Sequence, residues 1–431
     1  MKHHVINIKD RKYIYFPYSQ MFFQYSDIMK NMLDGKQTPN EYVMSLISEE
    51  DKKREMITRI LQHDLEVEHY ISGAEINVLH GCNMQCRYCF AGEGNHGKTG
   101  KISIETIRDI LNFMGSKASK PNIKLQIVGG EPLLDFDIFK ELINEGKQFE
   151  ELFEKPVYFS VISNGINIDQ KVSDFIKDNH IELIISLDSG EKSINDFLRP
   201  TKSGISAYQY IIDNFSFYEG NTGVNVNVTI TPYNLKISEI ATFLFETQNV
   251  NYVHFSEVIS DLDDMQFSEK NIDELILEYE KLTDFLIQKY KKHEYVGCYP
   301  LTASLDKISD HIPIIRPCGV LKSKCAFSPS GQIYPCDVMM FDDYCIGDVK
   351  NGFDNNAIEK LRGIYKEESH CNECWARYLC GGECLSTQQW NNSEQRSLRC
   401  RLKRHICKLK LYLYETIVNE IGDVKQIIGG N

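Results

Sequence analysis

The chain has 431 residues, 42% of them hydrophobic and 25% charged, which is the make-up of a globular protein of two or three domains. A net charge of −13 disfavours nucleic acid and anionic membrane surfaces as partners. No run reaches the length that spans a bilayer, and the opening MKHHVINIKDRKYIYF lacks the apolar core of a secretory signal, so a cytosolic protein is expected, its fourteen cysteines serving metal sites rather than disulfides.

In chain order, His4 to Ile8 and Tyr13 to Phe16 read as short strands parted by a charged turn, with Met21 to Tyr25 as a third. Helical patterns follow at Ser26–Leu33, Thr38–Ile47 and Ser48–Asp64, with Thr38 and Ser48 as N-caps and Pro39 at a tolerated first position. From Ala74 strands and helices alternate. The strands are Ile76–His80, Lys124–Val128, Val157–Ser163, Glu182–Leu187, Val224–Thr231 and Tyr252–Val258. The helices are Ser103–Phe113, Asp135–Phe149, Asp169–Asn179, Ile205–Tyr218, Lys236–Glu246 and Ile272–Lys291. Six β/α repeats imply an α/β fold with a parallel sheet and helices outside it. From about Arg316 regular signals fade and cysteines accumulate, up to a last helix at Arg401–Asn419.

Cys82-x3-Cys86-x2-Cys89 follows the first strand of the repeats. Three thiolates can bind three irons of a cubane cluster and leave the fourth iron open for chemistry. A zinc site would want four closely spaced ligands in paired CxxC units, and no fourth Cys follows nearby. Gly129-Gly130-Glu131-Pro132 ends the second strand, where two glycines permit close backbone approach and a carboxylate can pair with an ammonium. Ser163-Asn164-Gly165 ends the third strand and Ser186-Leu187-Asp188 the fourth. Arg199 lies in NDFLRP, and Asn227 and Thr229 lie on the fifth strand. The C-terminal region holds Cys318-x12-Gly331-x4-Cys336, then Cys371-x2-Cys374-x5-Cys380-x3-Cys384, then Cys400. The Gly92–Gly100 segment lacks the Lys-Ser/Thr ending of a phosphate loop. His180, His293 and His370 carry no motif and read as solvent or structural histidines. Cys298, Cys345 and Cys407 read as buried apolar residues.

The first cysteine triad, with its aromatic at Tyr88, resembles the radical S-adenosylmethionine (SAM) family, and the later cysteines resemble the seven-cysteine SPASM domain. That resemblance implies a partial (β/α)6 barrel, with the functional residues at the C-terminal ends of its strands. It implies three [4Fe-4S] clusters. One would be held by Cys82, Cys86 and Cys89, with SAM chelated to its free iron and cleaved to a 5′-deoxyadenosyl radical. A first auxiliary cluster would use Cys318, Cys336 and Cys384, with Cys325 as a candidate fourth ligand; without Cys325 its open iron can take a substrate thiolate. A second would use Cys371, Cys374, Cys380 and Cys400, with Cys407 as a competitor for Cys400. The resemblance assigns Gly129, Gly130 and Glu131 to the SAM amino group and Ser163, Asn164, Ser186 and Asp188 to its ribose and carboxylate. It puts Arg199 near the carboxylate and Val253–Val258 near the adenine. Asp337, beside Cys336, matches an acid that takes up a substrate proton in sulfatase-maturing relatives.

Three strands followed by three helices resemble the winged-helix module that binds leader peptides in peptide-maturation enzymes. The expected organisation is therefore a leader-binding unit at 1–72, a radical SAM barrel at 73–305 and a SPASM domain at 306–431. The expected function is maturation of a ribosomally made peptide, forming a thioether or C–C cross-link. The alternative is sulfatase maturation, oxidising Cys or Ser to formylglycine. A third class, a non-catalytic electron carrier, would not cleave SAM. The expected partners are a leader-bearing precursor peptide and an electron donor such as flavodoxin or ferredoxin.

Overall fold

The structure is a computed structural model, and it describes residues 3–63, 71–117, 122–219, 223–366 and 369–428. An N-terminal antiparallel sheet joins β1 (His4–Ile8), β2 (Arg11–Tyr15) and β3 (Phe22–Gln24) in that order, so β3 is an edge strand. Two helices follow, α1 (Asp27–Leu33) and α2 (Glu41–His63). The two helices expected at Thr38–Ile47 and Ser48–Asp64 are one continuous α2; Asp64 lies outside the described residues. Asn40 rather than Thr38 supplies the cap, accepting from Val43 N at 2.9 Å. Ser48 is mid-helix, because 41–63 holds no Gly or Pro to stop it. Glu50, two residues on, accepts the Tyr18 and Ser19 amides at 3.0 and 2.7 Å.

The six expected β/α strands all form, within two residues of their expected ends apart from the first. They are β4 (Gly73–Asn77), β5 (Ile123–Val128), β6 (Val157–Ser163), β7 (Glu182–Ser186), β8 (Asn225–Ile230) and β9 (Tyr252–Glu257). Period-2 burial makes them: Val157, Phe159 and Val161 turn to the helices, and Gly146 of the helix Phe136–Phe153 lets the Phe159 ring pack against its backbone. The expected first strand breaks at Val78, and Leu79–His80 pairs instead with Gly100–Lys101.

The sheet is larger than six strands. β10 (Gly297–Tyr299) pairs parallel with β9, and β11 (Lys324–Phe327) pairs parallel with β4, giving eight parallel strands in succession. β12 (Gln332–Tyr334), β13 (Gly347–Asp348) and β14 (Gly352–Phe353) extend it antiparallel, so the mixed sheet runs β10-β9-β8-β7-β6-β5-β4-β11-β12-β13-β14. Residues after 305, read from the sequence as irregular, therefore share hydrogen bonds with the first strand of the repeats. The strand signal was missed because each piece is only two to four residues long. The long C-terminal helix, α3 (Ser393–Glu420), starts at an Asn392 cap, eight residues before the expected Arg401. It receives the N-terminal unit: Arg11 donates to Glu415 at 2.6 Å, and the Phe22 and Tyr414 rings lie 5.8 Å apart. Among the described residues no helix is long and apolar enough to cross a membrane.

Candidate active site

The face of the parallel sheet away from the helices is polar. Glu75, Gln126 and Ser160 are register partners across β4, β5 and β6; Ser186, Asn227, His254 and Tyr299 are partners across β7 to β10. Apolar residues of the same strands fill the other face, so alternation alone gives this wall its chemistry.

Cys82, Cys86 and Cys89 sit in the loop that leaves β4, each partly exposed. The loop is pinned by the backbone of 198–202: Gln85 N donates to Pro200 O (2.8 Å), Arg87 N to Leu198 O (2.9 Å) and Lys202 N to Asn83 O (2.9 Å). Gly94 and Gly130 close over it. A Cβ on Gly130 would meet Gly81 O at 2.0 Å and Gly94 O at 2.5 Å, and a Cβ on Gly94 would meet the Cys82 Cβ at 2.7 Å. Burial pushes the Cys86 thiol up to about 12, Arg199 opposing it, and a metal bound there would displace its proton.

The strand ends form two buried networks. Glu131 is 1% exposed, and its carboxylate accepts from Ser163 Oγ (2.9 Å), Leu133 N (3.1 Å) and Asn164 N (2.7 Å). Asn164 Nδ2 in turn points at Cys82 Sγ (3.8 Å) and Asn83 Oδ1 (2.7 Å). Glu131 thus ties the second strand end to the third, which leaves the Gly129-Gly130 backbone as the part that can approach a ligand. Asp188 is fully buried; Tyr88 Oη donates to one of its oxygens and Thr229 N to the other (2.8 Å). Arg199 Nη1 donates to Tyr88 Oη at 3.1 Å. Asp188, read from the sequence as a SAM contact, therefore holds the cluster loop through Tyr88, since neither oxygen reaches the open face. Ser186 does face it, beside Asn227.

The arrangement fits an iron–sulfur cluster and SAM. The three thiols share one loop, with Cys86 in electrostatic reach of Cys82 and Cys89, the glycine pair lets the strand end pack against the backbone of Leu79, Gly81 and Gly94, and the buried Arg199 keeps Nε without a partner. Sequence reasoning missed Asn195 and Asn234, which hold Asp188 by its amide (3.0 Å) and carbonyl (2.9 Å). Their signal is weak, since single Asn residues after strands usually cap turns.

Beyond β4 the open face continues into the later cysteines. Cys318 and Cys336 each feel the Cys384 thiol and the Glu75 carboxylate, and Asp337 and Lys324 stand beside Cys336. Lys324 Nζ pairs with Glu75 at 2.5 Å, and Asp337 N donates to Glu75 at 2.8 Å. Burial and the adjacent Glu75 carboxylate push the Asp337 carboxyl well above the usual range. Glu75 also went unrecognised in the sequence, although a charge inside an otherwise apolar strand was a legible signal.

Cys325, the candidate fourth ligand, lies on the face of β11 opposite Lys324. It is 2% exposed on β11, and alternation turns it with Phe327 toward the helices, where Phe327 meets Phe113; Lys324 points the other way. Cys325→Ala is therefore expected to leave the iron content of the reconstituted chain at the wild-type value, as measured by iron analysis.

Cys371, Cys374, Cys380 and Cys400 line one cavity of about 420 Å³. Cys407 is two turns farther along the Cys400 side of α3; it is buried and does not line the cavity. Cys298 is buried as expected, whereas Cys345 is partly exposed and donates to Gly347 O at 3.4 Å. His293 contacts the Tyr295 hydroxyl at 3.1 Å, and the side chain of His370 lies outside the described residues.

His96, on the loop after the triad, is caged by His80, Phe90 and Phe341 at ring distances of 6.0, 5.8 and 5.4 Å. Burial first, then His80 and Lys98, lowers its pKa to about 4. An unfolded histidine titrates near 6.5, so between about pH 4 and 6.5 the unfolded chain binds more protons than the folded one. Stability is full above about 6.5 and is lost as pH falls through that window. His96→Phe is expected to flatten this part of a urea-midpoint series from pH 4 to 7; an unchanged slope would assign it to other groups.

Residues 76–243 match the radical SAM superfamily. The chain is 23% identical over 334 residues to the cysteine-type anaerobic sulfatase-maturating enzyme of Clostridium novyi, covering 72% of this chain and 86% of that one. Its fold is similar to native anSMEcpe with bound AdoMet (TM-score 0.69, 16% identity, 81% of this chain and 100% of that one). It is also similar to Streptococcus suis SuiB bound to precursor peptide SuiA (TM-score 0.56, 14% identity, 89% and 94%). With the cysteine loop, the glycine pair and this match falling in one stretch of chain, residues 76–243 are a radical SAM domain and the protein is an enzyme.

Proposed function

We propose that this enzyme matures a ribosomally made peptide, joining two of its side chains by a thioether or C–C bond. The observation that carries the proposal is the N-terminal unit. Its edge strand β3 has one side unpaired among the described residues, and Tyr42 of α2 packs on Phe23 of β3 (6.2 Å) while staying 55% exposed. A leader segment added to β3 would gain main-chain hydrogen bonds and an aromatic wall, the usual terms of strand addition. Tethering raises the effective concentration of the reacting side chains at the open face. SuiB, bound to its precursor peptide, is a structural precedent for the fold.

In this reading Cys82, Cys86 and Cys89 hold the SAM-binding [4Fe-4S] cluster, which with SAM supplies the 5′-deoxyadenosyl radical. Cys318, Cys336 and Cys384 hold a first auxiliary cluster, left with an open iron by the orientation of Cys325, where a substrate thiolate can bind. Cys371, Cys374, Cys380 and Cys400 hold a second. Arg199 supplies a cation for the SAM carboxylate, and Ser163, Asn164 and Ser186 provide polar contacts. Glu75, Lys324 and Asp337 line the substrate side. A flavodoxin or ferredoxin supplies electrons, and the site of action is the cytosol.

The test is co-expression with short cysteine-rich peptides encoded beside the gene, followed by mass spectrometry. Loss of two hydrogens per cross-link, abolished by deleting the leader, is expected. The second reading, formylglycine formation, is favoured by Asp337 beside Cys336. Conversion of a Cys or Ser in a sulfatase-derived peptide, with no change in any leader-bearing peptide, would replace the first reading by the second.

A further inference from the structure

The two auxiliary cysteine sets sit in opposite electrostatic surroundings. Around Cys318, Cys336 and Cys384 stand Glu75 and Asp337 with two cations, Lys324, paired to Glu75 at 2.5 Å, and Arg399, which feels the Cys384 thiol and pairs with Glu257 at 3.7 Å. The cavity of Cys371, Cys374, Cys380 and Cys400 is lined by Arg377, Arg396, Lys403 and Arg404 against one carboxylate, Glu383, which Arg396 takes up at 2.8 Å. Arg377 and Arg404 remain beyond that pair, and Lys403 is shared with Glu257. Arg377 keeps Nη1 buried without a partner, and Lys403 is one helical turn from Cys400, next to the Cys380 thiol. In a chain of net charge −13 this is a local reversal of sign.

Adding an electron to a cluster adds negative charge, so nearby cations favour the reduced form and nearby carboxylates oppose it. We propose that Lys403, with Arg377 and Arg404, holds the second auxiliary cluster at a higher reduction potential than the first, so that an electron shared between the two rests at the second. Lys403 acts on that cluster through its charge and is a positioning residue, not a ligand. The inference rests on the reading of two auxiliary clusters given above.

The test uses the full chain with Cys82, Cys86 and Cys89 replaced by Ala, reconstituted anaerobically and titrated potentiometrically by EPR. Two reduction waves are expected, and Cys374→Ala/Cys380→Ala removes the more positive one. Lys403→Met moves that wave negative by a tenfold change in the reduction equilibrium, about 59 mV for one electron, and leaves the other in place. Lys403→Arg keeps the parent value. If Lys403→Met does not retain about eight irons, Arg404→Gln is read instead, with a smaller shift of the same sign expected. A more positive wave that survives the cysteine variant, or one that neither charge variant moves, overturns the inference alone. Fewer than about eight irons in the parent overturns the two-cluster reading and the inference with it.

Discussion

Replacing Cys82, Cys86 and Cys89 by Ala together is expected to abolish reductive cleavage of SAM and to lower the iron of the reconstituted chain from about twelve to about eight. The chain should still fold. All three residues are partly exposed and small, and they lie in a loop outside the apolar core, so no large core cavity opens. The loop is held instead by backbone bonds to Leu198, Pro200 and Lys202, and by Tyr88 on Asp188, none of which needs a thiol. SAM turnover to 5′-deoxyadenosine by dithionite-reduced protein reads the first effect and iron analysis the second. Residual SAM cleavage in the variant would mean the reactive iron sits elsewhere. An iron content near four or below in the wild type, with zinc retained, would remove the auxiliary clusters.

Gly130→Ala is expected to cost SAM binding at least tenfold, together with about 1–3 kcal/mol of stability from overpacking. The reason is geometric. The new methyl would lie 2.0 Å from Gly81 O and 2.5 Å from Gly94 O, and both are backbone atoms of the cluster loop, with no rotamer to give way. Gly130 N is also bonded to Leu79 O, and Glu131 N to Gly81 O, so the strand end cannot retreat without breaking the ladder that sets the loop. Calorimetric SAM binding and a thermal melt report the two effects. Gly97→Ala is the control for crowding, since nothing lies within 4 Å of its added Cβ. Equal SAM affinities for wild type and Gly130→Ala would show that the loop has slack the packing does not reveal.

Much of this was legible in the chain itself. Spacing identified the Cys82 triad, and period-2 patterning found β5 to β9 because each carries an apolar face long enough to count. The four cysteines around the 420 Å³ cavity were grouped by the resemblance to the SPASM domain, which also favoured Cys400 over Cys407. The helix break at Ser48 was misread because local capping signals compete on equal terms in sequence, while in the fold α2 runs through Ser48 with no Gly or Pro to stop it. Glu131 and Asp188 were read as ligand contacts from their positions at strand ends. Their carboxylates are instead filled by amides and hydroxyls from neighbouring strands, partners more than thirty residues away.

The sequence by itself determined the chemistry available to this protein: which thiols are grouped, where the glycines permit close approach, and that a parallel α/β sheet carries them. Those are properties of neighbours along the chain, and short-range spacing encodes them. Only the tertiary structure decided that β11 joins β4, that Cys325 consequently faces the helices while Lys324 faces Glu75, and that one cysteine set lies among carboxylates and the other among cations. Each of these depends on which face a residue shows across a strand pairing of some 250 positions, and a shift of one residue in register would reverse it.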